Sequence, residues 1–244
     1  MNMDEKIFNR VEKKYIIDSS TKAELLKEIS AHMQPDGYHK SEVFNIYFDD
    51  DNYDLIIKSI ERPKFKEKLR ARSYGGYDKV FLEIKTKMKG EDYNLGYKRR
   101  VLITTNEYKS FVSGKKTLID VAKNKIETPH DLQIATEVGY FVKHFNLKPR
   151  ILVYYHRTSF KGENKLRITF DEDLRFRNHD LTFKKDRKDQ KYFENEKKNT
   201  IMEIKAHGVM PLWLVHALSK NHVYPVQFSK IGKVYTKLNQ RKEK

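Results

Sequence analysis

The sequence lacks cysteine altogether, which excludes disulfide bonds, zinc sites with cysteine ligands and catalysis by a thiol. It also lacks collagen-like, coiled-coil and solenoid repeats. The segment MNMDEKIFNR has no apolar core of the kind found in signal peptides. The longest apolar runs, such as 151–155, are far too short to span a bilayer. We therefore expect a soluble cytoplasmic protein whose association with a membrane complex would require a membrane-protein partner.

Positive charge is abundant. The chain has 244 residues with 50 Lys and Arg against 34 Asp and Glu, giving a net charge of +16. Its hydrophobic content of 38% is enough for a globular core, and its length suits one domain comprising residues 1–244. An excess of this size attracts nucleic acid, acidic lipid, nucleotides or polyphosphate, or it serves only to solubilise the surface. The placement of the cations along the chain decides between these possibilities.

Alternation of polar and apolar residues predicts a β-rich protein interrupted by helices. A charged loop, expected to be mobile, covers 184–198, and Ser229 is a candidate cap of a final helix. Helices are predicted at 20–33, with a capping box formed by Thr21 and Glu24, and at 211–220. A helical insert occupies about 106–147, and its last helix should bury Leu132, Ala135, Val138, Phe141, Val142 and Phe145. The predicted strands are 8–18, 42–48, 65–74, 79–87, 95–104, 151–159, 165–172 and 199–206.

The polar faces of these strands repeatedly contain long cations, because residues two apart in a strand share a face. Three strands also place Glu beside Lys at this spacing. One interpretation is an antiparallel sheet with an apolar core face and a wet outer face. The other is a closed barrel whose charged face lines a lumen, where a polyanion would neutralise the like charges and Glu would hold a divalent cation. The residues concerned are Glu12, Lys14, Lys66, Lys68, Arg70, Arg72, Glu83, Lys85, Lys98, Arg100, Arg157, Arg167, Glu203 and Lys205.

Several of these segments together resemble one family. The chain is similar to the VTC domain, the polyphosphate polymerase domain of the vacuolar transporter chaperone complex, in the triphosphate tunnel metalloenzyme superfamily. The resemblance extends from RVEKKY at 10–15 to FSKIGK at 228–233. The other matching segments are IYFDD at 46–50, KLRARSYG at 68–75, FLEIKTK at 81–87, YKRRV at 97–101, YYHRTSF at 154–160, LRITFD at 166–171 and IMEIK at 201–205.

The resemblance implies an α+β fold, a closed eight-stranded antiparallel barrel that forms a triphosphate tunnel with helices packed outside. It implies catalytic contacts to phosphate from Lys14, Arg70, Arg72, Lys85, Lys98, Arg157, Arg167 and Lys230. The full set of expected phosphate-binding residues adds Lys68, Arg100 and Lys205. Glu203 matches the family's metal-binding glutamate, and the expected cofactor is Mn²⁺ or Mg²⁺.

The expected activity is transfer of the terminal phosphate of ATP to a growing polyphosphate chain. A cationic site suits this reaction, because the attacking phosphate oxygen is already anionic and needs no strong general base. A triphosphatase or polyphosphatase, with Glu12 or Glu83 orienting water, is the first alternative. A non-catalytic module that binds polyphosphate or inositol pyrophosphate is the second, and a nucleic-acid binder is weaker because the patterned cations lie within strands. Arg10, standing where the superfamily's E-x-E-x-K motif often begins with an acid, favours the polymerase.

Overall fold

The computed structural model describes residues 10–61, 63–76, 78–90, 94–193 and 199–240. No helix in this part of the chain combines the length and apolar character that crossing a bilayer requires. The strands are β1 (Arg10–Ile17), β2 (Gln34–Asp49), β3 (Phe65–Tyr74), β4 (Val80–Lys89), β5 (Asn94–Ile103), β6 (Lys148–Lys161), β7 (Arg167–Arg177), β8 (Gln190–Lys191) and β9 (Thr200–His207). The helices are α1 (Ser19–His32), α2 (Asp54–Glu61), α3 (Thr105–Val112), α4 (Leu118–Ala122), α5 (Pro129–His144), α6 (Leu212–Lys220) and α7 (Lys230–Gln240), with a 3-10 turn at Lys123–Lys125.

The chain folds as two compact units, and β2 and β6 contribute residues to both. Unit 1 comprises Met1–Ser41, Tyr155–Leu174 and Lys191–Phe228. In it β1 pairs with β9, and β9 pairs with β7, all antiparallel. The apolar faces of these strands pack with α1 and α6 into one core that includes Tyr15, Leu25, Phe170, Met202 and Leu214.

Unit 2 comprises Glu42–Tyr154, Arg175–Gln190 and Ser229–Lys244. Its antiparallel strands follow the order β2-β3-β4-β5. The predicted helical insert forms α3, α4 and α5, which cover the apolar face of these strands. The resulting core includes Ile46, Leu69, Ile84, Val138 and Phe141. Because the helices take one face of the strands, the cations of opposite parity lie on the other.

The predicted mixture of antiparallel strands and helices is confirmed, but the strand pairing differs from a closed eight-stranded barrel. Within the described residues the order β1-β9-β7-β6-β2-β3-β4-β5 is a path with two ends, and β8 pairs with β7 off that path. The physical reason is that β1 bonds to β9 and β5 to β4, so each keeps one backbone edge without a strand partner in the part described.

Two predicted details of the helices are wrong. Asp18, not Thr21, caps α1, because its carboxylate accepts the backbone N–H of Thr21 at 2.7 Å. On α5, Leu132 and Phe145 are 44% and 42% exposed, whereas the middle of the helix is buried. Both residues lie near the ends of α5.

The charged loop after β7 is anchored by a buried arginine. Arg177 is 3% exposed and donates to both carboxylate oxygens of Asp189 at 2.9 and 2.8 Å. It also donates to the backbone oxygens of Asp180, Thr182 and Lys184. A single guanidinium therefore organises the described residues 178–190 from within, and the remainder of the predicted loop, 194–198, lies outside the described residues.

Candidate functional site

The charged face of unit 2 is a ladder of directly paired side chains on β3, β4 and β5. Arg70 lies opposite Glu83, and Glu83 lies opposite Arg100. One step along the strands, Lys68 lies opposite Lys85, which in turn lies opposite Lys98. Residues opposite each other in antiparallel strands share a face. The structure therefore brings together six of the predicted phosphate-binding residues: Lys68, Arg70, Arg72, Lys85, Lys98 and Arg100.

Glu83 is the single carboxylate of that parity on the described parts of β3, β4 and β5, and it is 1% exposed. The Nε and NH2 atoms of Arg70 donate to its Oε2 at 2.9 and 2.6 Å. The ammonium of Lys98 lies 3.7 Å from Oε1. One anion is thus shared by several cations, which leaves this face with excess positive charge.

The charges around Glu83 set its protonation. Burial raises the pKa of the Glu83 carboxyl, but Arg70, Arg72 and Lys98 together outweigh burial and bring the pKa to about 2. Burial also lowers the pKa of Lys98, and the carboxylate of Glu83 opposes that shift. At neutral pH Glu83 is therefore ionised, and a carboxyl with so low a pKa is a poor general base.

Arg72 is oriented by a neutral group. Its Nε donates to the side-chain oxygen of Asn45 at 2.8 Å, and its NH1 donates to the hydroxyl of Tyr74 at 3.3 Å. Asn45 is itself 1% exposed and donates to the backbone oxygen of Val153. The amide therefore fixes the guanidinium without cancelling its charge.

Lys68 links this face to the start of α7. Its ammonium donates to the hydroxyl of Ser229 at 3.0 Å. The same hydroxyl accepts the backbone N–H of Gly232 at 3.3 Å, which confirms Ser229 as a capping residue. Lys230 is the first residue of α7 and directly follows Ser229. The fold thus places the helix terminus that contains Lys230 beside the cations of β3.

The charged face of unit 1 lies on β1, β9 and β7. Lys14 is opposite Glu203, and Lys205 lies opposite both Glu12 on β1 and Arg167 on β7. Ion pairs join Lys14 to Glu12 at 3.3 Å and Lys205 to Glu203 at 2.8 Å. In contrast to unit 2, the cations of this face have carboxylates beside them.

The two arginines of unit 1 also have acidic partners. Arg157 donates to the carboxylate of Asp171 at 2.6 and 2.8 Å, and Asp171 is fully buried. Burial lowers the pKa of Arg157, yet Tyr155, Asp171 and Glu203 more than compensate and the pKa is raised. Arg167 pairs with Asp36 at 2.9 Å. Unit 1 therefore presents fixed cations with little excess charge.

A divalent metal fits at Glu203 only as an ion shared with a substrate. The described residues contain no cluster of three or more Asp, Glu, His or Cys side chains that could hold a metal. The carboxylate of Glu203 is 2.8 Å from the ammonium of Lys205. Magnesium commonly binds one or two carboxylates and completes its shell with water and phosphate oxygens. Glu203 and Glu12, on neighbouring strands, could supply such carboxylates, and each is ion-paired with a lysine in this structure.

Sequence patterns missed three residues that orient predicted site residues. Asn45 lies in an apolar strand, and Asp171 lies within β7, a strand whose polar face also contains Arg167. Ser229 was recognised as a helix cap but not as an acceptor for Lys68. Strand register is the signal that could have found Asn45, which lies opposite Arg72. Ser229 lies in no strand, so only tertiary packing brings it to Lys68.

The chain matches the model of the VTC domain family over residues 9–239. It is 27% identical over 144 residues to vacuolar transporter chaperone complex subunit 4 of Schizosaccharomyces pombe, covering 54% of this chain and 20% of that protein. The subunit of the same name from Trypanosoma cruzi is 26% identical over 155 residues, covering 55% of this chain and 19% of that protein. The matched region spans about a fifth of these relatives' length.

A solved structure from Hippeastrum has a similar fold, with a TM-score of 0.53 and 15% identity. The similarity covers 91% of this chain and 92% of that one. That protein is described as a candidate adenylyl cyclase with a dominant triphosphatase activity. At this identity the likeness concerns the fold alone.

Proposed function

This chain belongs to the VTC domain family, and on that premise we propose that it is a polyphosphate polymerase. It would transfer the terminal phosphate of ATP to the end of a polyphosphate chain. The observation that supports this most is the excess of cations around Glu83 on β3, β4 and β5. A face with so few anions of its own is stabilised by a ligand that supplies them.

In the proposed reaction a terminal oxygen of the polyphosphate chain attacks the γ-phosphorus of ATP. The bond from that phosphorus to the bridging oxygen of the β-phosphate breaks, and ADP leaves with the electron pair. Arg70 and Arg72 would each hold phosphate oxygens in a planar fork, while Lys98 would neutralise developing charge. Lys14, Lys85, Arg157, Arg167 and Lys230, with Lys68, Arg100 and Lys205, would contribute further contacts to phosphate.

The low pKa of Glu83 favours transfer to phosphate over transfer to water. Hydrolysis needs a base that can take a proton from water near neutral pH. The carboxyl of Glu83, with a pKa of about 2, does not meet that need. A phosphate oxygen is already anionic, so the proposed nucleophile requires only positioning and charge neutralisation.

A divalent ion, Mn²⁺ or Mg²⁺, would be held by Glu203 together with phosphate oxygens. When bound, such an ion would supply positive charge that offsets the negative charge of the phosphate groups. Replacing Glu203 with Gln keeps the size of the side chain and removes its anionic charge. We expect that variant to fold normally and to need a much higher metal concentration for turnover.

The test is product analysis. The purified chain is incubated with ATP and Mn²⁺ or Mg²⁺, and the products are separated by gel electrophoresis and identified by phosphorus NMR. We expect ADP and lengthening polyphosphate, with slow release of free phosphate. Arg72→Gln should lose most of this activity while remaining folded.

Other outcomes would assign another function. Rapid conversion of triphosphate to free phosphate without chain growth would make the chain a triphosphatase. Binding of polyphosphate or inositol pyrophosphate without turnover would make it a sensing module. If the positive charge of Arg10 in β1 favours polymerisation, Arg10→Glu should shift the products towards free phosphate.

The cellular setting is a further part of the proposal. The matched relatives are named as subunits of a vacuolar transporter chaperone complex. We propose that this chain likewise acts in the cytoplasm beside a membrane-protein partner. The test is whether the chain co-purifies with a membrane fraction, and whether this co-purification is lost when the membrane-protein partner is removed.

A further inference from the structure

The anchored loop of unit 2 presents a second set of cations. Arg177 and Asp189 are 3% and 5% exposed, and they anchor the loop because NH1 of Arg177 donates to both carboxylate oxygens of Asp189. Asp189 also accepts the backbone N–H of Asp186 at 2.8 Å. Fixing the backbone in this way costs conformational entropy during folding, so less remains to be lost when a ligand binds.

Three cations at the tip of this loop have no described counter-charge. Lys184, Arg187 and Lys188 are exposed, and their side chains form no ion pair or hydrogen bond with another described residue. Lys185, between them, differs because it pairs with Glu42 at the start of the unit's part of β2. The loop tip therefore carries more cations than its one carboxylate, Asp186, can balance, and Asp186 already accepts the backbone N–H of Lys188.

The loop lies near the C-terminal end of β3, the strand that carries a row of cations. Lys68, Arg70 and Arg72 follow each other at two-residue spacing along β3, and the turn at Gly75 and Gly76 comes next. Gly75 donates its backbone N–H to the backbone oxygen of Glu42 at 2.9 Å.

Gly76 fixes the loop against this turn. It adopts a φ of +69°, and a Cβ there would meet the backbone oxygen of Phe183 at 2.9 Å. Only glycine permits both that conformation and that approach. At about 3.3 Å per strand residue, the turn lies about 13 Å beyond Arg72.

We propose that Lys184, Arg187 and Lys188 form an outer site for inorganic polyphosphate, which engages a long chain but not a triphosphate. The inference rests on the proposed function, since it assigns the outer part of the chain whose end is held near Arg70 and Arg72. A linear anion with charge on every phosphate, if long enough to pass the turn at Gly75 and Gly76, would contact both groups of cations. Binding at one then raises the effective concentration of the chain at the other.

The test compares two ligands and two variants of equal charge. In the first variant Lys184, Arg187 and Lys188 are all replaced by Gln. In the control the exposed Lys109, Lys115 and Lys116, in and after α3, are replaced by Gln instead. Dissociation constants are measured by calorimetry for long-chain polyphosphate and for triphosphate at fixed ionic strength.

We expect the loop variant to bind long-chain polyphosphate about tenfold more weakly, since exposed ion pairs contribute modestly one by one. Its affinity for triphosphate should change less than about twofold, and the control should retain both affinities. Unchanged long-chain affinity in the loop variant, or an equal loss in the control, would overturn the outer site. The outer site would also be overturned if the loop variant lost binding to anionic phospholipid vesicles but kept its affinity for long-chain polyphosphate.

The same measurements separate failure of this inference from failure of the proposed function. If wild type and both variants bind triphosphate and bind long chains with unchanged affinity, only the outer site is wrong. If wild type binds neither ligand, the proposed function is wrong and the outer site falls with it.

Discussion

At the scale of single residues, Arg70, Arg72 and Arg157 show how the type of hydrogen-bond acceptor decides whether an arginine's charge is neutralised. Arg70 is held by Glu83 and Arg157 by Asp171, so each has a carboxylate in direct contact. Arg72 is held by the amide of Asn45. All three are oriented, but only Arg72 has no carboxylate bonded to its guanidinium among the described residues. Asn45 is therefore a positioning residue that leaves the arginine's charge available to a ligand.

The first prediction concerns Asn45→Asp. The change keeps the acceptor for Arg72 and adds a buried negative charge, which offsets Arg72 and repels phosphate. We expect triphosphate affinity to fall about tenfold, measured by calorimetry, while the fold is retained.

Arg72→Gln provides the control background. If Asn45 acts through Arg72, Asn45→Asp should have a much smaller effect there, as a double-mutant cycle would report. An equal loss of affinity in both backgrounds would show that Asn45 acts by another route.

The second prediction follows from the depressed pKa of Glu83. An acid whose pKa is lowered by folding stabilises the folded state above its unfolded pKa, and this stabilisation is lost as the pH falls towards the folded value of about 2. Between about pH 5 and about pH 3, this group should lose about 2 kcal/mol of stabilisation. Urea unfolding at both pH values measures the loss.

Glu83→Gln separates Glu83 from the other carboxyl groups. The variant should be less stable than wild type at the higher pH, because Arg70 and Lys98 lose their shared anion. Its stability should also fall by about 2 kcal/mol less than that of wild type on acidification. Parallel pH profiles would contradict the assignment of the shift to Glu83.

At this scale the sequence could predict the cations but not what orients them. Period two along β3, β4 and β5 is sufficient to place Arg70, Arg72 and Lys98 on one face. The partner of Arg72 lies in the segment EVFNIYF, which reads as an apolar strand. Recognising Asn45 requires the register between β2 and β3, which tertiary packing sets.

At the scale of elements, alternation located most strands closely, and β3 matches its predicted bounds of 65–74. Helix α2 was missed because it has only eight residues, DLIIKSIE, too few for a clear helical period. Strand β2 begins at Gln34, well before the predicted residue 42. The prediction missed its first part because QPDGYHK contains proline and glycine and does not alternate.

The third prediction concerns the loop organised by Arg177. Arg177→Gln leaves Asp189 buried without its ionic partner, which should lower the free energy of unfolding by about 3–5 kcal/mol. Under native conditions trypsin should then cut faster after Lys184 and Arg187, because the loop backbone loses several hydrogen bonds. Urea unfolding and timed proteolysis provide the two measurements.

Lys185→Gln is the matched control, since it removes one exposed cation from the same loop. Its stability should stay within about 0.5 kcal/mol of wild type. If Arg177→Gln behaves like this control, the loop is not held by Arg177.

At the scale of the whole molecule, the net charge of +16 is unevenly distributed between the two units. The described cations of the charged face in unit 1 have carboxylates close by, whereas those of unit 2 share Glu83. Composition gives the size of the excess but not its distribution, because strand pairing decides which charges face each other. The excess positive charge on the face formed by β3, β4 and β5 should dominate the response of ligand binding to salt.

The fourth prediction is that triphosphate binding weakens steeply with ionic strength. Raising salt from about 0.05 M to about 0.5 M should lower affinity at least tenfold, because fixed cations release bound anions when the ligand binds. At a concentration of about 100 times Kd, triphosphate should stabilise the fold by about 2.7 kcal/mol. Thermal unfolding and titrations at several salt concentrations test both values.

Arg72→Gln again serves as the comparison. Removal of one phosphate contact should reduce the slope of log affinity against log salt by about one unit. A triphosphate affinity that does not change with salt concentration would contradict this prediction and would mean that non-ionic contacts dominate binding.

The division of unit 1 into three separated stretches of chain has a consequence for biosynthesis. Strand β1 is synthesised before every other described element, whereas its partner β9, which pairs Lys14 with Glu203, is synthesised only after β7. Most of unit 2 is contiguous in sequence and can begin to fold while the backbone edge of β1 is still without its partner strand β9. Contacts so distant in sequence slow folding, and a ribosome that stalls before residue 200 would leave an aggregation-prone nascent strand.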